Sequence, residues 1–335
     1  MRNRDLDCLR LVSALFVVFI HICLPGTAGE IASAAARFAV PVFFISSGYF
    51  SYRLINEGDM AKLKKRTAHI AVIFAVSLLV YIIGYTILYG IPFLQSFFSN
   101  FAMPDMYLKT LVFNLPFTTS FGHLWFLSAL IYVYLVTALI IKLRITKIFK
   151  FLPFLLILTL IYFNIIMGKM QMEVSMLFCR NFLMIGLPFF SVGYCMRKFD
   201  WQRIKNINTY IVILLLAGIV INIAEFIFLS RNSELYLGSV LIAVSLFALA
   251  VYINSTNLSK KSRVNIPSDL SLYIYVIHIF ASHATDKLST LTGFYYTSVY
   301  EWLRPLIAVV TSVAVYYAVY RIKKLFSKKR EIAKA

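Results

Sequence analysis

The chain has 335 residues, 61% of them apolar and only 14% charged, with a mean hydropathy of +0.81. Water-soluble domains carry about 25% charged residues, so the composition excludes one and calls for a lipid environment. The net charge of +19 would suit nucleic acid if it were clustered, but it is spread over alternate loops and no nucleic-acid partner is expected.

In chain order, apolar windows of about 20 residues, long enough to cross a bilayer, fall near Cys8–Leu24, Ile31–Tyr52, Thr67–Tyr89, His123–Ile141, Ile148–Met167, Leu177–Met196, Tyr210–Leu229, Leu235–Ile253, Leu270–Leu288 and Trp302–Tyr320. The expected fold is all-α: a polytopic integral membrane protein of about ten transmembrane helices, forming one domain over residues 1–335. Loops rich and poor in Lys and Arg alternate between the spans. Arg2 and Arg4 precede the first, LPGTAGE after it has no cation, and Arg53, Lys62, Lys64, Lys65 and Arg66 follow the second. The pattern continues to the tail KKLFSKKR. By the positive-inside rule both termini are cytoplasmic, as in a multi-pass plasma-membrane protein, with the tail against anionic lipid headgroups.

The first span, RLVSALFVVFIH, runs from Arg10 to His21. On a helix these two residues share one face and stand about 16 Å apart. The segment has the outline of a cleaved signal peptide, but Asp5 and Asp7 in its basic region and His21 at its apolar end argue against cleavage. Cys8, Cys23, Cys179 and Cys195 fall at span positions without a C-x-x-C. They are expected to pack as small apolar residues, and no metal site is expected.

The longest segment outside the spans, Gly90 to Gly122, is aromatic and interrupted by proline. It suits interfacial helices or a re-entrant cover, and lipid-facing filler equally well. Ionisable residues within spans are costly and face a cavity or one another. His21, Arg37, His123 and Arg180 fall toward the outer ends, Arg10, Arg66 and His69 toward the inner ends, and Glu225 and His278 near mid-span. His283 lies closer to the outer end of its helix. Two polar clusters on opposite sides of one membrane suggest chemistry or passage across it.

Five local patterns stand in order: Arg10-x10-His21; Arg37 with FAVPVFFISSGYF; KLKKRTAHI, ending in Arg66-x-x-His69; HLWFLSALIYVYLVTALI from His123; and SLYIYVIHIF from Ser271, containing His278. Together they resemble the membrane acyltransferase-3 family, which modifies cell-surface polysaccharides, and most of all its single-domain O-acetyltransferases of surface glycans. The resemblance runs from Asp5 to the last span. It implies a cytoplasmic acyl-CoA donor, commonly acetyl-CoA, and an acceptor hydroxyl on a cell-surface glycan or lipid-linked sugar across the membrane. Arg10 and His21 match the family's Arg-x10-His, and Arg66 the first arginine of its R-x-x-R motif. His69 stands where that motif has its second arginine, which leaves Arg66, Lys64 and Lys65 as the better donor-phosphate ligands.

Phosphates favour guanidinium and ammonium partners, and an alcohol attacks a thioester slowly unless a base takes its proton. His21 suits that base, since an unperturbed imidazole is mostly neutral at pH 7. Arg37 or Arg180 would stabilise an oxyanion or orient an anionic acceptor, and His123 would either orient His21 or bind the acceptor. The expectation is transmembrane O-acyl transfer. The alternative is a transporter of a small substrate or lipid-linked sugar, which mid-span Glu225 would suit. Related membrane modules joined to amino-acid racemases have such a proposed role; the chain stops at Ala335 without such an enzyme, which favours transfer. A passive scaffold would have neither activity.

Overall fold

Asn3 starts the first helix: its side chain accepts the Leu6 N–H at 3.1 Å, and Asp5 and Asp7 in the first turn oppose the positive end of the helix dipole. The protein is described here from a computed structural model covering residues 3–101, 103, 107, 110, 114, 119–164, 180–229, 233–256 and 266–332. The principal helices are α1 (Arg4–His21), α2 (Gly26–Ala36), α3 (Ala39–Glu57), α4 (Met60–Tyr89), α5 (Ile91–Phe101), α6 (Trp125–Lys142), α7 (Leu155–Ile161), α8 (Leu187–Lys198), α9 (Ile207–Phe228), α10 (Leu237–Ser255), α11 (Leu270–Leu291) and α12 (Ser298–Ile332). No strand occurs among the described residues.

Among the described residues, six stretches are long and apolar enough to cross a membrane: Gly26–Glu57, Met60–Tyr89, Phe121–Lys142, Ile207–Phe228, Leu237–Ser255 and Ser298–Leu325. The first is the α2–α3 pair, interrupted at Arg37 and Phe38. Pro41 is accommodated in the first turn of α3, where a missing N–H costs no helical bond. α1 and α11 are helical where spans are expected. Two other expected spans are not continuous helices. Ile148–Met167 begins as short 3-10 turns around Pro153 before α7. Leu177–Met196 has extended backbone at Asn181, whose side chain accepts the N–H groups of Leu183 and Met184 and so starts a π-turn leading into α8. Residues 165–167 and 177–179 of these spans, Cys179, and much of the Gly90–Gly122 segment lie outside the described residues.

α1 packs against α2, α3, α10, α11 and α12. Tyr316 on α12 donates to Asp269 before α11, Lys323 reaches Tyr273, and Arg304 pairs with Asp286 at 2.6 Å. α11 and α12 are therefore antiparallel. Arg10 meets Ser46 and His21 shares a cleft with Arg37, so α1 is antiparallel to α3. α3 turns back into α4, with Arg66 beside Phe50. Tyr81 and Tyr89 of α4 meet Val276 and His283 in the same order, so α4 and α1 run parallel to α11. The N-terminal end of α1 therefore lies at the same end of the bundle as the late turns of α12. α3 and α8 touch backbone to backbone: a Cβ on Gly48 would lie 1.8 Å from the Phe190 carbonyl oxygen, and one on Gly193 would lie 1.9 Å from that of Ile45. The small residue expected in Ser47-Gly48 serves this close approach. At the far end of α4, Phe93 and Phe97 of α5 pack on Tyr85 and Phe121, covering the bundle.

The cysteines differ from expectation. Cys8 on α1 and Cys23, two residues past the end of α1, are exposed; Cys195 is half-buried, its thiol donating to the Phe149 carbonyl.

Candidate active site

At one end of the bundle, the break between α2 and α3, the end of α1, and the segments leading into α6, α8 and α10 surround a narrow cleft. Its lining includes His21, Arg37, Trp125, Arg180 and Glu234. Glu234 anchors it. Arg180 donates to Glu234 twice, Nη2 to Oε1 at 2.8 Å and Nε to Oε2 at 3.2 Å, and Arg37 Nη1 adds a third bond to Oε2 at 2.9 Å. Burial alone would raise this carboxyl, but the two guanidinium groups outweigh it and hold Glu234 down at about 2. Two cations and one carboxylate leave the cleft with a net positive charge.

A buried polar network holds the turn that presents Glu234. Ser233 Oγ donates to Asn164 Oδ1 at 3.1 Å and is placed 2.9 Å from the Leu235 carbonyl. Asn164 in turn donates to Glu225 at 3.2 Å. Glu225 Oε1 and Oε2 accept the Leu237 and Gly238 N–H groups at 3.0 and 2.8 Å, capping α10. Glu225 stands in the last turn of α9, not near mid-span, and its carboxylate is occupied by this cap.

Beside the cleft, three histidines from three segments form a triangle. Ring centroids are 5.4 Å apart for His21–His278, 5.4 Å for His123–His278 and 6.1 Å for His21–His123. His278 is fully buried, with Nδ1 2.8 Å from the Tyr275 carbonyl and 3.1 Å from that of Ile274. A carbonyl only accepts, so Nδ1 carries hydrogen, and Nε2 has no partner. His123, also buried, likewise has a partnerless Nε2. Tyr81 of α4 stitches this part of α11 together, donating to the Val276 carbonyl at 2.8 Å and accepting the Phe280 N–H at 3.1 Å. Tyr275 donates to the His123 carbonyl. Among the described residues, no group of three or more His, Cys, Asp or Glu is arranged to hold a metal.

The opposite end of α1 carries a second, basic site. Arg10 Nε donates to Ser46 Oγ at 2.8 Å, its guanidinium lies 5.0 Å from the Phe50 ring centre, and Asp7 stands 3.5 Å away. Arg66 Nη1 donates to the Phe50 carbonyl at 3.1 Å and to Ser51 Oγ at 3.0 Å. Arg10, Arg66 and Tyr134 line one open cavity of about 330 Å³.

A family model described as an acyltransferase domain, that of the acyltransferase-3 family, matches residues 3–321. The chain belongs to that family. Among curated relatives, this acyltransferase-3 chain is 25% identical over 334 residues to a serine/alanine racemase of Enterococcus gallinarum, covering 94% of the chain and 46% of the relative. It is also 25% identical over 316 residues to an amino-acid racemase of Enterococcus faecalis, covering 85% and 42%. The chain thus spans less than half the length of these relatives. No solved structure matches it.

The fold of this acyltransferase-3 protein brings His21, Arg37, His123 and Arg180 together at one end of α1, and Arg10 with Arg66 at the other. It does not bring Lys64, Lys65 or His69 into the basic cavity. All three are exposed on α4, because at about 100° per residue they turn away from the Arg66 face by 60° or more. Sequence reasoning missed Glu234 altogether; its position in a short turn between two apolar spans was the available signal. It noted His278 in an aromatic span without giving it a role.

Proposed function

We propose that this protein is an acyl-CoA-dependent O-acyltransferase of the plasma membrane, crossing it about ten times with both termini cytoplasmic. The acyl group, most simply acetyl, passes from cytoplasmic acyl-CoA to a hydroxyl of an extracytoplasmic cell-surface glycan or lipid-linked sugar. The observation that carries the reading is the division of one helix between two sites. Arg10 joins Arg66 at the basic end, and His21, about 16 Å away by helical rise, opens on the charged cleft. CoA phosphates suit the two guanidinium groups, and a pantetheine arm extends toward His21.

In this reading the acceptor hydroxyl enters the cleft beside Trp125, an aromatic wall with a few convergent polar groups of the kind small ligands use. His21 takes the hydroxyl proton as the oxygen attacks the thioester carbon. Arg37 and Arg180 lend positive charge to the developing oxyanion. The C–S bond then breaks, and the proton passes from His21 to the thiolate. Purified protein in liposomes, given labelled acetyl-CoA and a glycan acceptor, tests this: label enters the glycan, and His21→Ala abolishes the transfer. Transfer at the full rate by folded His21→Ala contradicts it.

A second reading takes support from the relatives' names and from the cleft itself. A carboxylate between two arginines matches the opposite charges of an amino-acid zwitterion, so the protein would carry a small amino acid without acyl transfer. Uptake of serine or alanine into liposomes, independent of acyl-CoA and of His21, favours that reading.

A further inference from the structure

The histidine triangle holds more than the mechanism above uses. His278 is completely buried, its Nδ1 is committed to main-chain carbonyls, and its Nε2 has no partner. A buried acceptor left unmatched is costly; His21 and His123 both stand 5.4 Å from His278 between ring centres, and of the two it is His21 that lines the cleft. Imidazole nitrogens lie about 1.1 Å from the ring centre. The two rings make no hydrogen bond as placed, but at a 5.4 Å centroid separation a turn of the His21 ring brings an N···N approach of about 3 Å within reach. The corresponding approach between His21 and His123, at 6.1 Å, is about 4 Å and too long.

We propose that His278 is a positioning residue for His21: once the His21 ring turns toward it, its Nε2 accepts the ring N–H of His21 that faces away from the cleft. This inference rests on the acyl-transfer reading. It fixes the tautomer of His21, so that the nitrogen turned to the cleft carries the lone pair. When His21 takes the acceptor's proton, the imidazolium keeps its other N–H on His278 Nε2. The proton on the cleft side then leaves with the thiolate as CoA thiol, and His21 returns to its starting tautomer. His278 gains and loses no proton. The Tyr275 and Ile274 carbonyls hold its ring so that Nε2 stays a neutral acceptor.

Two substitutions separate position from fold. His278→Asn keeps an amide N–H at the Nδ1 position for the Tyr275 carbonyl but has no acceptor at the Nε2 position. His278→Gln places an amide oxygen there. His278→Asn is expected to lower kcat about 10- to 100-fold with KM for acetyl-CoA unchanged. His278→Gln should recover most of the loss, and added imidazole should restore folded His278→Ala. Nuclear magnetic resonance of ring-labelled histidine should show one His21 tautomer in the wild type and a mixture in His278→Asn. Equal loss in Asn and Gln variants, or an unchanged His21 tautomer, overturns the proposal. If the wild type transfers no acyl group, the functional reading fails, while the tautomer spectrum still decides the role of His278.

Discussion

Arg180 holds Glu234 through two parallel N–H donors, across 54 residues of chain, and Arg37 closes on the same carboxylate from 197 residues away. Glu234 thereby joins the entry to α8, the α2–α3 break and the entry to α10 at one point. These side chains are only 13–19% exposed, so each depends on the others for its compensation. Removing one member of a buried pair costs about 3–5 kcal/mol.

Glu234→Gln should therefore lower both melting temperature and transfer rate. The pH dependence has a definite sign. Glu234 sits at about 2 against an ordinary value of 4.5, so its stabilising contribution is complete above about pH 4.5 and is lost as pH falls toward 2. Melting curves between these limits should show that loss in the wild type and lack this component in Glu234→Gln.

At the basic end, Arg10→Gln and Arg66→Gln should each raise KM for acetyl-CoA about 10- to 100-fold, the worth of a charge-assisted hydrogen bond. His69→Ala, on the exposed side of α4, should leave KM within about twofold. Steady-state kinetics with varied acetyl-CoA checks the contrast. Equal effects of Arg66→Gln and His69→Ala would remove the cavity from the account.

The α3–α8 contact predicts intolerance of a single methyl group. Gly48→Ala or Gly193→Ala puts a Cβ within 2 Å of a carbonyl oxygen, and the helices must separate to relieve it. A loss of about 1–3 kcal/mol or more is expected, readable as a lower melting temperature in detergent.

Glu225 is assigned to structure. Glu225→Ala uncovers the first N–H groups of α10 and should cost about 1–3 kcal/mol. Activity per folded molecule should remain close to wild type. A normal melting temperature with lost activity would return Glu225 to the chemistry.

Much of this was legible in the sequence, and the exceptions have physical reasons. The all-helical membrane character follows from the apolar windows, and the two ends of the site from Arg10 and His21 eleven residues apart on one helix. Arg37, His123 and Arg180 were readable as costly groups near span ends. The convergence of Arg37 and Arg180 on Glu234 was not, because it depends on a turn whose partners are 54 and 197 residues distant. Glu225 misled because an acidic residue in an apolar run gives no sign that the next helix starts against it. His69 follows Arg66 by three residues, and a motif spacing does not reveal which side of a long helix faces the cavity.

The central claim is that one helix divides donor binding from proton transfer. Calorimetric titration of acetyl-CoA, paired with a transfer assay on the same preparations, tests it most directly. His21→Ala should bind acetyl-CoA within about twofold of wild type yet transfer no label, whereas Arg10→Gln should weaken binding about tenfold or more. Wild-type transfer by His21→Ala, or unchanged binding by Arg10→Gln, would contradict the account.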